Sequence, residues 1–208
     1  MKLRPAIPGD ELSVARIHVR AWQAGYRGLL PAGYLESLRP EDRARRYTFG
    51  RADGPRTTVA LDEGVSEGPD EGPGEGVSEG PDEGPGEGPG KGPGEGPGNG
   101  PGNGSSDGSR DGSRGNSIVG FMTIHGAELC ALHVDPDRWS RGVGRALIER
   151  ARADLAAAGA AEAHVWVLVG NERALRFYER DGWAADGTHR SDTVWGVLVD
   201  ELQLRRRL

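Results

Sequence analysis

The chain has 208 residues, a formal net charge of −6 and one cysteine. A single cysteine excludes an internal disulfide, and no apolar run is long enough for a signal peptide or a membrane span, so we expect a cytoplasmic protein without a membrane partner. Residues 64–115 hold 11 acidic and 3 basic side chains, which leaves 23 basic and 21 acidic elsewhere. The rest of the chain is nearly neutral, and its net charge gives no support for a nucleic-acid partner.

Residues 64–115 form a low-complexity segment with 20 glycines and 8 prolines. Its first part is an exact tandem copy of twelve residues, at 64–75 and 76–87, and its only large apolar residues are Val65 and Val77. Such a composition cannot bury a core. The segment is therefore predicted to be a disordered, acidic Gly/Pro-rich insert, and residues 1–208 are interpreted as one domain that carries it.

The elements before the insert alternate between apolar strands and helical spacing. Pro8, Gly9 and Asp10 predict a turn followed by a helix, with Asp10 as its N-cap. In chain order we predict a strand at 3–6, a helix at 10–24, a short helix at 34–38, a helical segment from 40 to about 49 and a strand at 57–61.

The elements after the insert continue this alternation. We expect the strands on either side of the insert to form a hairpin, because loop-closure entropy grows only slowly with length. In chain order the predictions are strands at 117–125 and 128–134, a helix at 142–158, a strand at 164–169, a helix from 171 to about 182 and strands at 187–194 and 197–204. The short run at 164–169 is continuously apolar, as is typical of a buried central strand.

The segment between Leu129 and Leu147 has the order strand, Pro turn, Arg/Gly loop and helix start. This order gathers unpaired backbone N–H groups and the positive end of a helix at one point, which favours a bound phosphate. Gly142 and Gly144 allow close approach to a pyrophosphate. A Rossmann fingerprint is disfavoured, because the glycines come seven residues after the strand and Leu147 stands where a third small residue is required.

Three segments together resemble the GCN5-related N-acetyltransferase (GNAT) superfamily. Residues 139–144, Trp-Ser-Arg-Gly-Val-Gly, match the acetyl-CoA loop pattern Arg/Gln-x-x-Gly-x-Gly/Ala everywhere except at Trp139. A second pattern, Asn-x-x-Ala-x-x-Phe-Tyr-x-x-x-Gly-Phe/Trp, is intact at 171–183, and the run 18–31 resembles the substrate-side helix and loop. The resemblance covers nearly all of the chain outside the insert.

The resemblance implies an α/β (α+β) fold with a mixed, mostly antiparallel sheet flanked by helices. It also implies that acetyl-CoA, as co-substrate, inserts its pantetheine arm between two splayed central strands, 128–134 and 164–169. The implied cofactor-binding residues are Leu132, His133, Val134, Trp139, Ser140, Arg141, Gly142, Val143, Gly144, Arg145, Asn171 and Tyr178. Asn171 is equally expected to cap the helix that it begins, and the two roles are compatible.

Acetyl transfer to an amine requires a neutral nucleophile and a proton for the departing thiolate. The resemblance implies that Tyr178 protonates the thiolate, although an aromatic packed beside Phe177 is the alternative. It similarly implies that Glu128 takes the ammonium proton through water, with a solvated strand-edge carboxylate as the alternative. Trp22 and Tyr26 are candidates for the acceptor-binding site or for the core.

The predicted function is direct transfer of the acetyl group of acetyl-CoA to a primary amine of a small molecule or peptide. Cys130 is interpreted as a small buried hydrophobe, so no acyl-enzyme is expected. The five histidines lack paired ligand spacing, so no metal is expected, and Arg205 to Arg207 fit a solvated tail rather than a nucleic-acid contact. The alternative is a catalytically silent acetyl-CoA-binding module that acts through a partner; a homodimer is left open.

Overall fold

A seven-stranded sheet organises the part of the chain that the computed structural model describes, residues 1–51, 53–62, 117–194 and 196–208. The strands are β1 (Lys2–Pro5), β2 (Arg56–Asp62), β3 (Ser117–His125), β4 (Glu128–Val134), β5 (Glu162–Leu168), β6 (Ala184–Val194) and β7 (Val197–Arg207). Their order in the sheet is β1-β2-β3-β4-β5-β7-β6. Every neighbouring pair is antiparallel except β4 and β5, which are parallel. The prediction of a mixed, mostly antiparallel sheet is confirmed.

Among the described residues, five helices and one 3-10 turn, at Pro136–Arg138, lie between these strands. The helices are α1 (Glu11–Gly25), α2 (Ala32–Ser37), α3 (Pro40–Ala44), α4 (Val143–Ala157) and α5 (Glu172–Arg180). The third helix is shorter than predicted, because the chain turns after Ala44 through hydrogen bonds from Arg46 N–H and Tyr47 N–H to the carbonyls of Arg43 and Ala44. That turn takes Tyr47 out of the helix.

The two faces of the sheet pack against different helices. Val59 of β2 and Phe121 of β3 pack in one apolar cluster with Val14 and Ile17 of α1. Their neighbours in sequence, Ala60 and Met122, belong to a second cluster that contains Leu147 and Ala151 of α4. Because side chains alternate between faces along a strand, α1 and α4 cover opposite faces of the sheet. The sheet is therefore the middle layer between helices.

Asp10 is the N-cap residue of α1, as predicted, but its side chain makes no capping hydrogen bond to the helix. Its carboxylate accepts hydrogen bonds from the Arg4 guanidinium at 2.6 and 2.9 Å and from the Ile7 N–H at 2.9 Å. Burial works to raise the pKa of Asp10, but the bonds from Arg4 and Ile7 outweigh it and lower that pKa. The carboxylate therefore ties β1 to the start of α1.

A β-bulge in β4 interrupts the pairing with β3. Thr123 is paired with Ala131, whereas the next residue, Ile124, is paired with Leu129, so Cys130 is an extra residue on β4. Bulges bend a strand and increase its local twist. On its other side, β4 pairs with β5 only at Glu128 and His164 within the described chain. The two parallel strands are therefore paired at Glu128 and His164 and separate beyond that pair.

The connection between β2 and β3 contains the predicted insert, which lies outside the described residues. Asp62 and Ser117, the last described residue before it and the first after it, are partners in the antiparallel β2–β3 ladder. The two strands thus form the expected hairpin, and the insert is a very long hairpin connection.

Replacing residues 64–115 with a short glycine-containing turn is expected to leave the fold intact. Shortening the loop reduces the entropy cost of closing the hairpin by about 2 kcal/mol at most, so the melting temperature should stay constant or rise slightly. Thermal unfolding of the full chain and the shortened variant measures this. A large fall in melting temperature would show that the insert stabilises the domain.

Candidate functional site

A cleft of about 900 Å³ opens where β4 and β5 separate. One wall is the β4 segment from Cys130 to Val134, and the other is the β5 segment from Val165 to Leu168. Beyond Glu128, no residue of β4 in the described chain is paired with β5. The backbone edge of β4 that faces the cleft is therefore available to an extended ligand, as an additional strand would be.

The start of α4 forms one end of this cleft. Gly142 occupies the N-cap position with φ of +84°, a left-handed conformation that favours glycine, and no side chain caps the helix. Ser140 in the same loop also has positive φ, +60°. A Cβ on Gly144 would lie 3.3 Å from the Phe177 ring of α5, so the glycine permits close packing of the two helices. The uncapped N–H groups of the first turn are suited to an anion.

Trp139 is the residue at which the loop departs from the GNAT pattern. Its indole N–H donates to the Val134 carbonyl at the end of β4, at 2.9 Å. The Arg173 guanidinium of α5 lies over the indole ring, with its central carbon 3.3 Å from the ring centroid. Trp139 therefore connects the end of β4 to the first turn of α5.

The arginines of the loop differ in their surroundings. Arg138 forms an ion pair with Asp62 at 2.6 Å, and Arg145 pairs with Glu149 at 2.8 Å. Both line the cleft, whereas Arg141 is exposed and lies outside its lining. Val143 is buried in the core, where it anchors the start of α4 as predicted.

Tyr178 lies on α5 and lines the middle of the cleft. Its side chain is buried and packs against Phe177 and Trp183. Burial, followed by the effect of Tyr26, raises the pKa of Tyr178 well above its usual value, so the phenol stays protonated at any working pH. Asn171 caps the same helix by accepting a hydrogen bond from Ala174 N–H at 3.1 Å, which confirms the predicted cap.

Glu128 lies at the point where β4 and β5 part. Its carboxylate is 3.5 Å from Nε2 of His164 on β5, and it lines the cleft. Cys130 also lines the cleft and is exposed, so the prediction of a buried cysteine is wrong. The bulge explains the difference, because the extra residue turns away from the core. Surrounding protein atoms and the Glu128 charge raise the pKa of the Cys130 thiol to about 11, so little thiolate forms near neutrality.

Rings and imidazoles gather where α1 crosses the cleft. His18 stacks on His133 of β4 with ring centroids 4.3 Å apart, and its Nδ1 lies 2.5 Å from the Tyr47 hydroxyl. Trp22 packs against both His18 and Tyr26. Trp22 is buried and Tyr26 is half-buried, yet both line the cleft, so they serve the core and the cleft together.

Burial is the main electrostatic influence on the two stacked histidines. Burial, with the Arg43 charge, lowers the pKa of His133 to about 3. Burial, His133 and Arg43 in turn lower the pKa of His18 well below its usual value. Both imidazoles are therefore neutral near pH 7, and one ring nitrogen of each can accept a hydrogen bond.

Among the cleft-lining residues that sequence reasoning did not predict as site residues are His18, Arg43, Tyr47 and Arg173. His18 had a usable signal, because it lies four residues before Trp22 and so shares its helix face. Tyr47 and Arg43 had none, since their positions depend on the turn that ends α3. Most of the predicted site residues line one cleft, namely Trp22, Tyr26, Glu128, Leu132, His133, Val134, Trp139, Ser140, Gly142, Gly144, Arg145, Asn171 and Tyr178.

No group of three or more His, Cys, Asp or Glu side chains in the described ranges is placed to hold a metal ion. Among the described helices, none combines the length and apolar character needed to cross a membrane.

Comparisons with known proteins identify the fold. Residues 110–183 match the model of the acetyltransferase (GNAT) family. A GCN5-related N-acetyltransferase structure from Rhodopseudomonas palustris aligns with a TM-score of 0.62 and 18% identity, covering 100% of this chain and 95% of that one. The PaiA N-acetyltransferase of Thermoplasma acidophilum, in complex with coenzyme A, aligns with a TM-score of 0.56 and 14% identity over 100% and 98% of the two chains. The fold is therefore that of the GNAT enzymes, and the family match supports membership of this superfamily.

One curated relative is the peptidyl-lysine N-acetyltransferase YjaB of Escherichia coli (strain K12). It is 38% identical over 76 residues, which are 36% of this chain and 48% of the relative. The match thus spans about half the length of the curated relative.

The stability of the protein is expected to fall in mild acid because of the stacked histidines. An unfolded histidine binds its proton near pH 6.5, whereas folded His133 does so only near pH 3. The free energy of unfolding should be highest above pH 6.5 and decrease below it, by up to about 1.4 kcal/mol per pH unit for each such histidine. Urea unfolding between pH 7 and 5 measures the slope.

His133→Gln should make this slope shallower, and the control His189→Gln, at an exposed position on β6, should leave it unchanged. Equal slopes in wild type and His133→Gln would contradict the assignment of the acid sensitivity to this pair.

Proposed function

We propose that the protein is an acetyl-CoA-dependent N-acetyltransferase that transfers the acetyl group directly to a primary amine. The observation that carries the proposal is the separation of β4 from β5 beyond Glu128, which opens a cleft with a free strand edge. Acetyl-CoA supplies a thioester, and its pantetheine amides match the hydrogen-bonding groups of an open strand edge. The uncapped start of α4 suits the pyrophosphate at the end of that arm.

Acid catalysis is assigned to Tyr178. A phenol whose pKa is raised by burial remains protonated and can donate to the thiolate that leaves as the carbon–sulfur bond breaks. Tyr26 has a pKa raised by burial and by the nearby Glu201, so it is also a hydrogen-bond donor rather than a base. Cys130 is not assigned a covalent role, because its thiol pKa of about 11 disfavours the nucleophilic form.

Base catalysis is assigned to Glu128. An amine must lose its proton before it attacks, and a carboxylate at the parting of the strands can take that proton through water. Nε2 of His164 lies 3.5 Å from this carboxylate. The acceptor enters on the α1 side, where Trp22, Tyr26 and the neutral His18–His133 pair supply aromatic surface and acceptor nitrogens.

The acceptor is proposed to be a primary amine of a small molecule or a peptide lysine. The second alternative is favoured by the curated relative, which is a peptidyl-lysine N-acetyltransferase. A cleft of about 900 Å³ that Trp22 and Tyr26 line is compatible with either acceptor.

Tyr178→Phe should lower kcat for amine acetylation by about 10- to 100-fold, because it removes the proton donor for the thiolate. Its KM for acetyl-CoA should change by less than about threefold, since the ring remains. Thiol release from acetyl-CoA across a panel of amines measures both constants. Tyr34→Phe, outside the cleft lining, is the matched control and should behave as wild type.

An undiminished rate in Tyr178→Phe would remove the acid assignment. Saturable binding of acetyl-CoA without thiol release, for every amine including a lysine peptide, would instead favour the silent binding module.

Glu128→Gln should lower kcat/KM by about tenfold or more near neutral pH. Part of this activity should return as the pH rises, because more of the acceptor amine is then deprotonated without a catalytic base. The matched control is Glu179→Gln, an exposed position on α5 outside the cleft lining. A pH profile of Glu128→Gln that is parallel to that of wild type would count against a proton-accepting role.

A further inference from the structure

Trp139 and Arg173 form a stacked pair, and two contacts hold Trp139 in place. The indole is held to the end of β4 by its bond to the Val134 carbonyl, and it packs against the main core cluster. The Arg173 guanidinium then lies flat over the ring at 3.3 Å. A guanidinium that stacks through its face keeps its N–H groups directed outward in the ring plane, where they can bind an anion.

The surroundings of Arg173 differ from those of three other arginines that line the cleft. Arg138, Arg145 and Arg176 have carboxylates at 2.6, 2.8 and 3.7 Å. No carboxylate among the described residues lies within ion-pair distance of Arg173. Partial burial lowers the pKa of Arg173, as expected for a guanidinium that has lost some water. The stacking therefore orders a cation whose charge is not neutralised nearby.

Arg173 lies on the helix that packs against the uncapped start of α4. Arg173 is in the first turn of α5, and Phe177, one turn later, lies against Gly144 in the first turn of α4. Gly142, Gly144 and Arg173 all line the same cleft. Backbone N–H groups and a fixed guanidinium thus approach one anion site from two different helices.

We propose that Trp139 and Arg173 form a phosphate clamp for the pyrophosphate of acetyl-CoA, with Arg173 as the binding residue and Trp139 as the positioning residue. The inference rests on the proposed function. The GNAT loop pattern has Arg or Gln at position 139, where this chain has Trp. In the clamp, Arg173 of α5 supplies the positive charge instead, and the Trp139 indole positions that charge at the loop.

The test is the affinity of purified full-length variants for CoA and for dephospho-CoA, which lacks the 3′-phosphate, by calorimetry. Arg173→Met should weaken both ligands by about tenfold, the effect of one charge-assisted hydrogen-bonding group. Its affinity for pantetheine, followed by NMR titration, should not change. Arg16→Met, which removes the same charge at an exposed position of α1 outside the cleft lining, is the matched control.

Trp139→Leu should weaken CoA by about threefold to fivefold, and the double variant with Arg173→Met should bind no more weakly than Arg173→Met alone, because the two residues act as a unit. The clamp would be overturned if Arg173→Met left the affinity for CoA unchanged, or if it weakened CoA but not dephospho-CoA. It would also be overturned if the effects of Trp139→Leu and Arg173→Met on CoA affinity were fully additive in the double variant. Failure of the wild-type protein to bind CoA at all would contradict the proposed function and the clamp together.

Discussion

The separation of β4 from β5 is the constraint on which the rest of the site depends. These two strands are the one parallel pair among the described strands, and they are paired only at Glu128 and His164. The extra residue at Cys130 shifts the register of β4 with β3, and it lies two residues beyond the last pair between β4 and β5. Beyond Glu128 the space between the two parallel strands is the cleft.

Once the strands part, the cleft has two chemically different ends. At one end are the uncapped start of α4 and several arginines, which favour negative charge. At the other are aromatic rings, a neutral pair of stacked imidazoles and the Arg43 guanidinium. Tyr178 and Glu128 both line the same cleft.

Much of the fold was predictable because it depends on local patterns. The predicted bounds of β3 and β4 agree with the structure, and Gly142 and Asn171 marked the starts of α4 and α5. The start of β6 was predicted too late, because the chain pairs with β7 on both sides of an irregularity between Ala185 and His189. A strand pattern that is interrupted by a glycine such as Gly187 does not reveal pairing on both sides of it.

The errors at the site have a shared physical cause, since they concern contacts between residues distant in the sequence. Cys130 looked buried because its neighbours are apolar, and the bulge that exposes it is visible only in the pairing with β3. Asp10 is the N-cap residue of α1, as its side-chain type predicted, but its carboxylate accepts hydrogen bonds from the Arg4 guanidinium and none from the helix N–H groups. Trp139 looked like a defect in the loop, and its stacking on Arg173 depends on the packing of α4 against α5.

Hydrogen exchange of the β4 backbone, with and without acetyl-CoA, tests the central claim most directly. The N–H groups of β4 that face the cleft lack a partner strand, so they should exchange quickly in the free protein and slowly when the pantetheine arm is bound. We predict ligand-dependent protection in peptides covering 129–134, and no change in peptides from β2, which is paired on both edges. Saturable acetyl-CoA binding without protection of β4 would contradict the account, because the ligand would then bind away from the open strand edge.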